Sequence, residues 1–312
     1  MHVASQLAAR ASRRRQQATP AASNVERPGP AWVVPGLLFF ALFALAPMVM
    51  VLYLSLTSWD GLSDPQFIGL ANWKEFLGDH QVLQSTAITA VLLVGNIVVQ
   101  APLSILLGVW AAGPQRNRAV LSVVFFLPLL LSTAATAVMW KQLLDPNFGL
   151  PAHLGWLFGS SNLLGSQSGA TACLIVVTTW QFVPFHSLLY QGAARAVPET
   201  LYQAASIDGA GRVRQFYHIT LPQLRNTIIT STTFMVVGGL TAFDIVLLLT
   251  NGGPGTDTAT LPFMMYQTAF RTYDYGYASA IASFLLLIAT GASVLLTRLS
   301  GYDRMTGTLE GL

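Results

Sequence analysis

Apolar residues along this chain gather into long, nearly charge-free runs separated by more polar connections, and the runs are too long for core strands. Six apolar windows stand out, at 31–57, 84–112, 119–140, 169–190, 227–250 and 277–297. Runs of about 20 apolar residues match a bilayer core of about 30 Å, so the pattern predicts an all-α integral membrane protein with six transmembrane helices. Pro47, Pro102, Pro128 and Pro184 fall inside these windows. Packed helices in lipid tolerate such prolines because the freed carbonyl finds another donor, and each predicts a kink.

Composition agrees. The 312 residues are 53% hydrophobic and only 9% charged, whereas a soluble domain carries about 25% charged residues. Charge then orients the spans, since Lys and Arg accumulate on the cytoplasmic side. With the N-terminus inside, Arg10, Arg13, Arg14, Arg15, Arg27, Arg116, Arg118, Arg195, Arg212, Arg214, Arg225, Arg298 and Arg304 are cytoplasmic, and only Lys74, Lys141 and Arg271 are external. Both termini are therefore expected in the cytoplasm. The basic residues are scattered around apolar blocks rather than gathered into a stripe, which argues against nucleic acid as a partner.

Residues 1–30 read as a basic, mostly disordered cytoplasmic tail and 301–312 as a second tail. The charge-free run Ala31 to Trp59 exceeds the h-region of a signal peptide, about 7–15 residues, and is expected to be an uncleaved first span. The single cysteine, Cys173, sits beside Leu174, Ile175 and Val176; no internal disulfide is possible, and a buried or lipid-facing thiol is expected.

The longest cytoplasmic connection, about 191–226, reads as two short helices. Pro198 suits a first helical turn, Glu199 places negative charge at that N-terminus, Leu201 to Ile207 continue the helix and Gly209 ends it. Asp208 is expected to cap a second helix through Gln215 and Phe216, with Leu221 and Pro222 stopping the chain ahead of the fifth span. Ala204, Ala205, Gly209 and Ala210 are small enough to let a helix lie deep in a groove of another protein, anchored by Leu201, Tyr202 and Ile207. A helix lying on the membrane surface fits the same pattern.

The stretch Gln203-Ala204-Ala205, then Gly209, then Ile219 and Leu221-Pro222 resembles the EAA signature of permeases in binding-protein-dependent ABC importers. The flanking Val197-Pro198-Glu199 and Ile207-Asp208-Gly209-Ala210 match as well. The resemblance implies that residues 198–222 form a coupling segment docked on an ATPase subunit, with Glu199, Leu201, Gln203, Ala204, Ala205, Ile207, Asp208, Gly209, Leu221 and Pro222 in that contact. Gln203 stands where the family has glutamate, which replaces a charge-assisted hydrogen bond with a weaker neutral one.

Phe243-Asp244 followed by Leu249 to Gly255, Asp274 to Ala280, and Phe67 to Trp73 are similar to stretches of the carbohydrate branch, closest to the maltose-permease type. That resemblance covers about residues 35 to 300. It implies a six-span permease domain over 31–300 and the type I importer fold. It also implies four kinds of partner: a second, homologous permease subunit, two ATP-binding subunits, an external sugar-binding protein or lipoprotein, and membrane lipid. The setting would be the bacterial cytoplasmic (inner) membrane.

Candidate substrate contacts are Trp180, Gln181 and His186 beside Pro184, Asp244 as the one acid deep in an apolar run, and Asn96 one turn from Gln100. Sugars are held by flat aromatic faces and fixed polar groups. Each has a structural alternative: an interfacial anchor for Trp180, helix–helix hydrogen bonds for His186, Asn96 and Gln100, and a bond to the following glycine turn for Asp244. Both lysines, Lys74 and Lys141, follow tryptophan rather than glycine, so no P-loop is present. No metal or nucleophile motif appears among five histidines and one cysteine, and no catalytic residue is expected. ATP and Mg would then belong to partner subunits, with no cofactor on this chain. A proton-driven carrier using Asp244, an importer for a glycerol-phosphate-type substrate and a membrane-embedded enzyme are the rival readings.

Overall fold

The computed structural model describes residues 30–113, 116–155 and 162–299. The tails expected over 1–30 and 301–312 lie outside them, apart from Pro30. The chain divides into two compact units, one ending at Met50 and one beginning at Val51.

The first unit is helical: a 3-10 turn at Pro30–Val33 leads into α1, Val34–Leu54, whose last four residues belong to the second unit, with a π turn at Ala41–Leu45. The side chains of Leu37, Leu38, Phe39, Phe40 and Phe43 are exposed. An apolar helix open along its length is suited to lipid rather than water.

After the end of α1 the second unit forms a two-stranded antiparallel ribbon, Thr57–Ser58 against Gln66–Phe67, in which Thr57 faces Phe67. Asp60 shapes its turn by accepting from the Leu62 and Ser63 backbone N–H groups and from Ser63 Oγ. These donors favour the charged form and hold its carboxyl down at about 2. Helix α2, Ala71–Gly78, is pinned beneath by the buried Asn72, whose Nδ2 donates to Ser55 O at 3.0 Å and Thr57 O at 2.8 Å. The last helix approaches the same ribbon so closely that a Cβ on Gly276 would collide with Thr57 O. The Phe67 to Trp73 and Asp274 to Ala280 stretches thus build one cap.

Beyond it run α3, His80–Ala111; α4, Arg116–Leu130; α5, Thr133–Leu143; α6, Gln167–Arg195; α7, Glu199–Ile207; α8, Arg212–Gln215; α9, Arg225–Leu240; α10, Leu261–Phe270; and α11, Tyr275–Leu299. Among the described residues four helices (α1, α3, α6 and α11) are long and apolar enough to cross a membrane, and five if the bent α4–α5 pair counts as one span.

Two of the predicted windows are not continuous helices. The window 119–140 is broken at Leu131 and Ser132, where the chain bends by 101°. Ser132 starts α5 as its N-cap, its Oγ accepting from Ala135 N, and a capped new start prevents the helix from running straight through. The window 227–250 is interrupted after Leu240: Thr241 is a turn, Ala242 and Phe243 are non-helical, and helical geometry resumes at Asp244 into a π turn at Val246–Thr250. Pro102 and Pro184 lie within unbroken helices.

The α3–α6 pair is the backbone of this unit. The buried residues of α3 are Val82, Ser85, Ile88, Thr89, Leu92, Asn96, Gln100, Ser104, Gly108 and Ala111, every third or fourth position apart from the adjacent Ile88 and Thr89, and from Asn96 onward the buried stripe is entirely polar or small. Small residues let two helices approach in lipid, where apolar side chains gain nothing by leaving the acyl chains. Gly108 lies directly against the α6 backbone: a Cβ there would sit 2.6 Å from Ser187 O and 2.6 Å from Tyr190 Cβ. Ser104 Oγ donates to Val183 O at 3.4 Å, and Gln191 Nε2 satisfies the Ala111 carbonyl at the helix C-terminus at 3.0 Å. Cys173 is buried in the adjoining apolar cluster with Leu92, Val177, Val246 and Phe263.

Candidate functional site

The α9 break opens a cavity of about 500 Å³ between α3, α5, α6 and α9. Its wall on α6 is Thr178, Phe182, Phe185 and His186, and on α3 Asn96 and Gln100. Phe234, Gly238 and Gly239 of α9 line it, as do the non-helical Ala242 and Phe243, and Asp244 just beyond. Gly238 has nothing within 4 Å of an added Cβ, so its bare backbone faces space, while Gly239 packs on Leu93.

The polar groups at the wall are oriented by one another. Asn96 Oδ1 accepts from Thr178 Oγ1 across the helix interface at 2.7 Å and from Gln100 Nε2 one turn along at 3.2 Å. With its oxygen occupied, the Asn96 amide NH₂ remains to donate. His186 Nδ1 is within 2.9 Å of Ser231 Oγ on α9, which fixes the ring between the helices. Asp244 is exposed to the cavity. The glycine turn that follows is held by Thr258 instead, with Oγ1 donating to Gly253 O at 2.7 Å and its N–H to Gly252 O.

Of the five residues expected to meet substrate, Asn96, His186 and Asp244 come together here. Trp180 and Gln181 lie outside the cavity. Trp180 packs edge-on to Trp140, with centroids 5.6 Å apart. Gln181 Nε2 reaches Leu131 O at 3.2 Å, serving the carbonyl left open by the α4–α5 bend. Thr178, Phe182 and Phe185 were not among the expected contacts. They lie at i, i+4 and i+7 with His186 at i+8, one helical face, so tracing that face from His186 would have found them.

The expected coupling residues form an exposed structure. No residue of α7 is buried. Pro198 is its N-cap residue with φ −59° and ψ 128°, one position before the helix, and Glu199 opens the first turn. Gly209, at φ +77°, ends it: Gly209 N donates to Ser206 O at 3.1 Å and Ala210 N to Ala205 O at 2.8 Å, the double bond of a Schellman turn. Asp208 closes α7 as its C-cap residue, and Gly211 is the N-cap of α8, so the second helix starts without the Asp208 cap. Nor does Pro222 stop the chain. Helical geometry continues from α8 through a π turn at Phe216–Thr220 and Leu221–Gln223. Leu201, Ile207, Val213 and Tyr217 stand exposed, Ile207 at 87%. Gln203 and Ala204 are exposed, Ala205 half-buried. A notch of about 230 Å³ lies between Ala205, Asp208, Arg214 and His218.

Comparison with known proteins places this geometry. Residues 104–301 match the family of binding-protein-dependent transport system inner membrane components. The multiple sugar-binding transport system permease protein MsmF of Streptococcus mutans is 33% identical over 272 residues, covering 86% of this chain and 93% of that protein. The diacetylchitobiose uptake system permease protein NgcF of Streptomyces coelicolor is 31% identical over 293 residues, covering 88% and 82%. In solved structures, a chain of a bacterial alginate ABC transporter, in complex with an alginate pentasaccharide-bound periplasmic protein, has the same fold. The TM-score is 0.78, with 22% identity, covering 89% of this chain and 95% of that one. The chain therefore belongs to the binding-protein-dependent transport system permeases, as an inner membrane component of an ABC transporter.

Proposed function

We propose that this chain is the membrane-spanning subunit of an ATP-driven importer that moves a mono-, di- or oligosaccharide inward. The observation that carries this reading is the cavity: flat apolar rings of Phe182, Phe185, Phe234 and Phe243 beside the donors of Asn96 and Gln100 and the acceptor carboxylate of Asp244. Aromatic faces take the C–H faces of a sugar and fixed polar groups take its hydroxyls. The names of the relatives, which specify sugars, support the substrate class.

In this reading the chain has six spans with both termini in the cytoplasm, the bent α4–α5 pair and the interrupted 225–250 stretch each counting as one. It pairs with a second, homologous permease and receives sugar from an external binding protein. ATP and Mg²⁺ act on two partner ATPase subunits, and the 198–222 segment carries their closure into the bundle, which alternates between outward and inward access. Asn96, His186 and Asp244 contact the sugar, and Asn96 also serves as interhelical glue.

Reconstituting the permease pair with its ATPase subunits and the external protein in vesicles tests this. Uptake should require ATP, the external protein, and the sugar that most raises that protein's melting point. Uptake driven by a proton gradient without ATP would falsify the reading and favour a secondary carrier with Asp244 as its proton site.

A further inference from the structure

A helix of nine residues is too short to persist in water on its own propensity, and α7 has no buried residue to hold it. Yet it is the element that must carry a push. Its stiffness has to come from somewhere other than packing, and the hydrogen bonds around it converge on Gln215.

Gln215 is half-buried at the end of α8. Its Nε2 donates to Ser206 Oγ on α7 at 2.9 Å and to Ala210 O, just past the Schellman turn, at 3.0 Å. Both amide hydrogens are thus used. Ser206 Oγ donates onward to Tyr202 O at 2.8 Å, and the Tyr202 hydroxyl lies 2.9 Å from Thr220 Oγ1. A closed set of side-chain bonds therefore ties α7, the Gly209 turn, α8 and the π turn into one piece, and Thr220 at its far end is buried.

We propose that Gln215 is a positioning residue for energy coupling: it clips α7 to the 212–223 helix so that displacement of α7 moves that helix instead of bending the Gly209 turn. The proposal rests on the coupling role given to this segment above. It requires no contact between Gln215 and the ATPase. Its chemistry is that of a two-hydrogen donor, so Gln215→Glu should fail like Gln215→Ala, while Gln215→Arg, which keeps a fork of N–H donors on a longer stem, should succeed.

The test uses the whole transporter in vesicles, with Thr241→Cys, at an exposed position of the cavity lining, as a maleimide-reactive probe in a Cys173→Ala background and MgATP as the only ligand. The parent should co-purify with its ATPase subunits and change its labelling rate on adding MgATP. With Gln215→Ala the subunits should still co-purify, but the MgATP-dependent change should fall roughly thirtyfold, the population ratio that two net hydrogen bonds sustain. Ser206→Ala should give a smaller loss in the same direction, the double variant should be no worse than Gln215→Ala, and Gln215→Arg should restore the response.

A full response in Gln215→Ala overturns the proposal, as does loss of the ATPase subunits, which would make Gln215 a docking contact. Were Gln215→Ala not to fold, an additive double variant of Ser206→Ala with Gln215→Arg would overturn it equally. If the parent neither binds the ATPase nor responds to MgATP, the proposed function itself fails.

Discussion

The cavity and the proposed coupling segment, 198–222, hold their geometry by opposite means. The cavity wall is assembled from helices far apart in sequence, its Asn96, Gln100 and Thr178 are buried at the α3–α6 contact, and its shape depends on how closely those helices pack at Ser104 and Gly108. The coupling segment lies within 25 residues, is exposed over most of its surface, and owes its shape to one left-handed glycine and a few side-chain bonds. The difference teaches where damage goes. Adding atoms to the packed region should cost stability, whereas disturbing the exposed one should cost function in a protein that remains folded.

The strongest test of that contrast is Gly209→Val. Nothing lies within 4 Å of a Cβ there, so the change creates no clash with a neighbour. A β-branched residue at φ +77° is nonetheless strained, by about 1–2 kcal/mol or more. ATP-driven uptake should be lost while membrane insertion and the unfolding midpoint stay as in the parent; retained uptake would mean the turn need not be left-handed. Gly108→Ala should do the reverse. Its Cβ meets Ser187 O at 2.6 Å, and overpacking of this kind costs about 1–3 kcal/mol, read as a lowered melting point in detergent. An unchanged midpoint would show the α3–α6 contact to be yielding.

Two smaller effects sharpen the comparison. Asp244→Asn removes charge from the cavity while keeping an acceptor, and should raise the half-saturating sugar concentration about fivefold, one net hydrogen bond's worth, with ATPase binding untouched. A change confined to ATPase binding would move Asp244 out of the substrate site. Gln203→Glu restores a charge on the exposed face of α7 and should tighten ATPase association about twofold, the scale of an exposed ion pair. Equal affinity of the two forms in a pull-down titration would show that the glutamate is not needed on this surface.

Much of the segment was legible in the sequence because its signals are local: Pro198, Glu199 and Gly209 mark a helix start and stop by their own backbone chemistry. The same reasoning misplaced the start of the second helix, since Asp208 and Gly211 compete for the cap and the Schellman turn uses Asp208 first. The long apolar runs announced α1, α3, α6 and α11, but hydropathy is blind to a break inside an apolar stretch. Leu131-Ser132 and Thr241-Ala242-Phe243 carry no charge and a single hydroxyl each, too little to interrupt an apolar window, and only the Ser132 cap and the Gly238-Gly239 pair hinted at interruption. Asn96 and Gln100 could be paired one turn apart. That Thr178 completes their network depends on α3 and α6 meeting in one register, which no single segment encodes.

The open peptide at Ala242 bears on how the protein is made. Its carbonyl accepts from Thr260 Oγ1 at 3.4 Å, a hydroxyl from a residue added to the growing chain eighteen positions later. A backbone group left unsatisfied in lipid costs several kcal/mol. The stretch from Arg225 to Thr250 is therefore a poor solitary passenger for the insertion machinery, and it settles only once the following turn has emerged to meet it. Biogenesis of this permease should have a late checkpoint there, and Thr260→Val should lower the yield of folded, membrane-inserted protein.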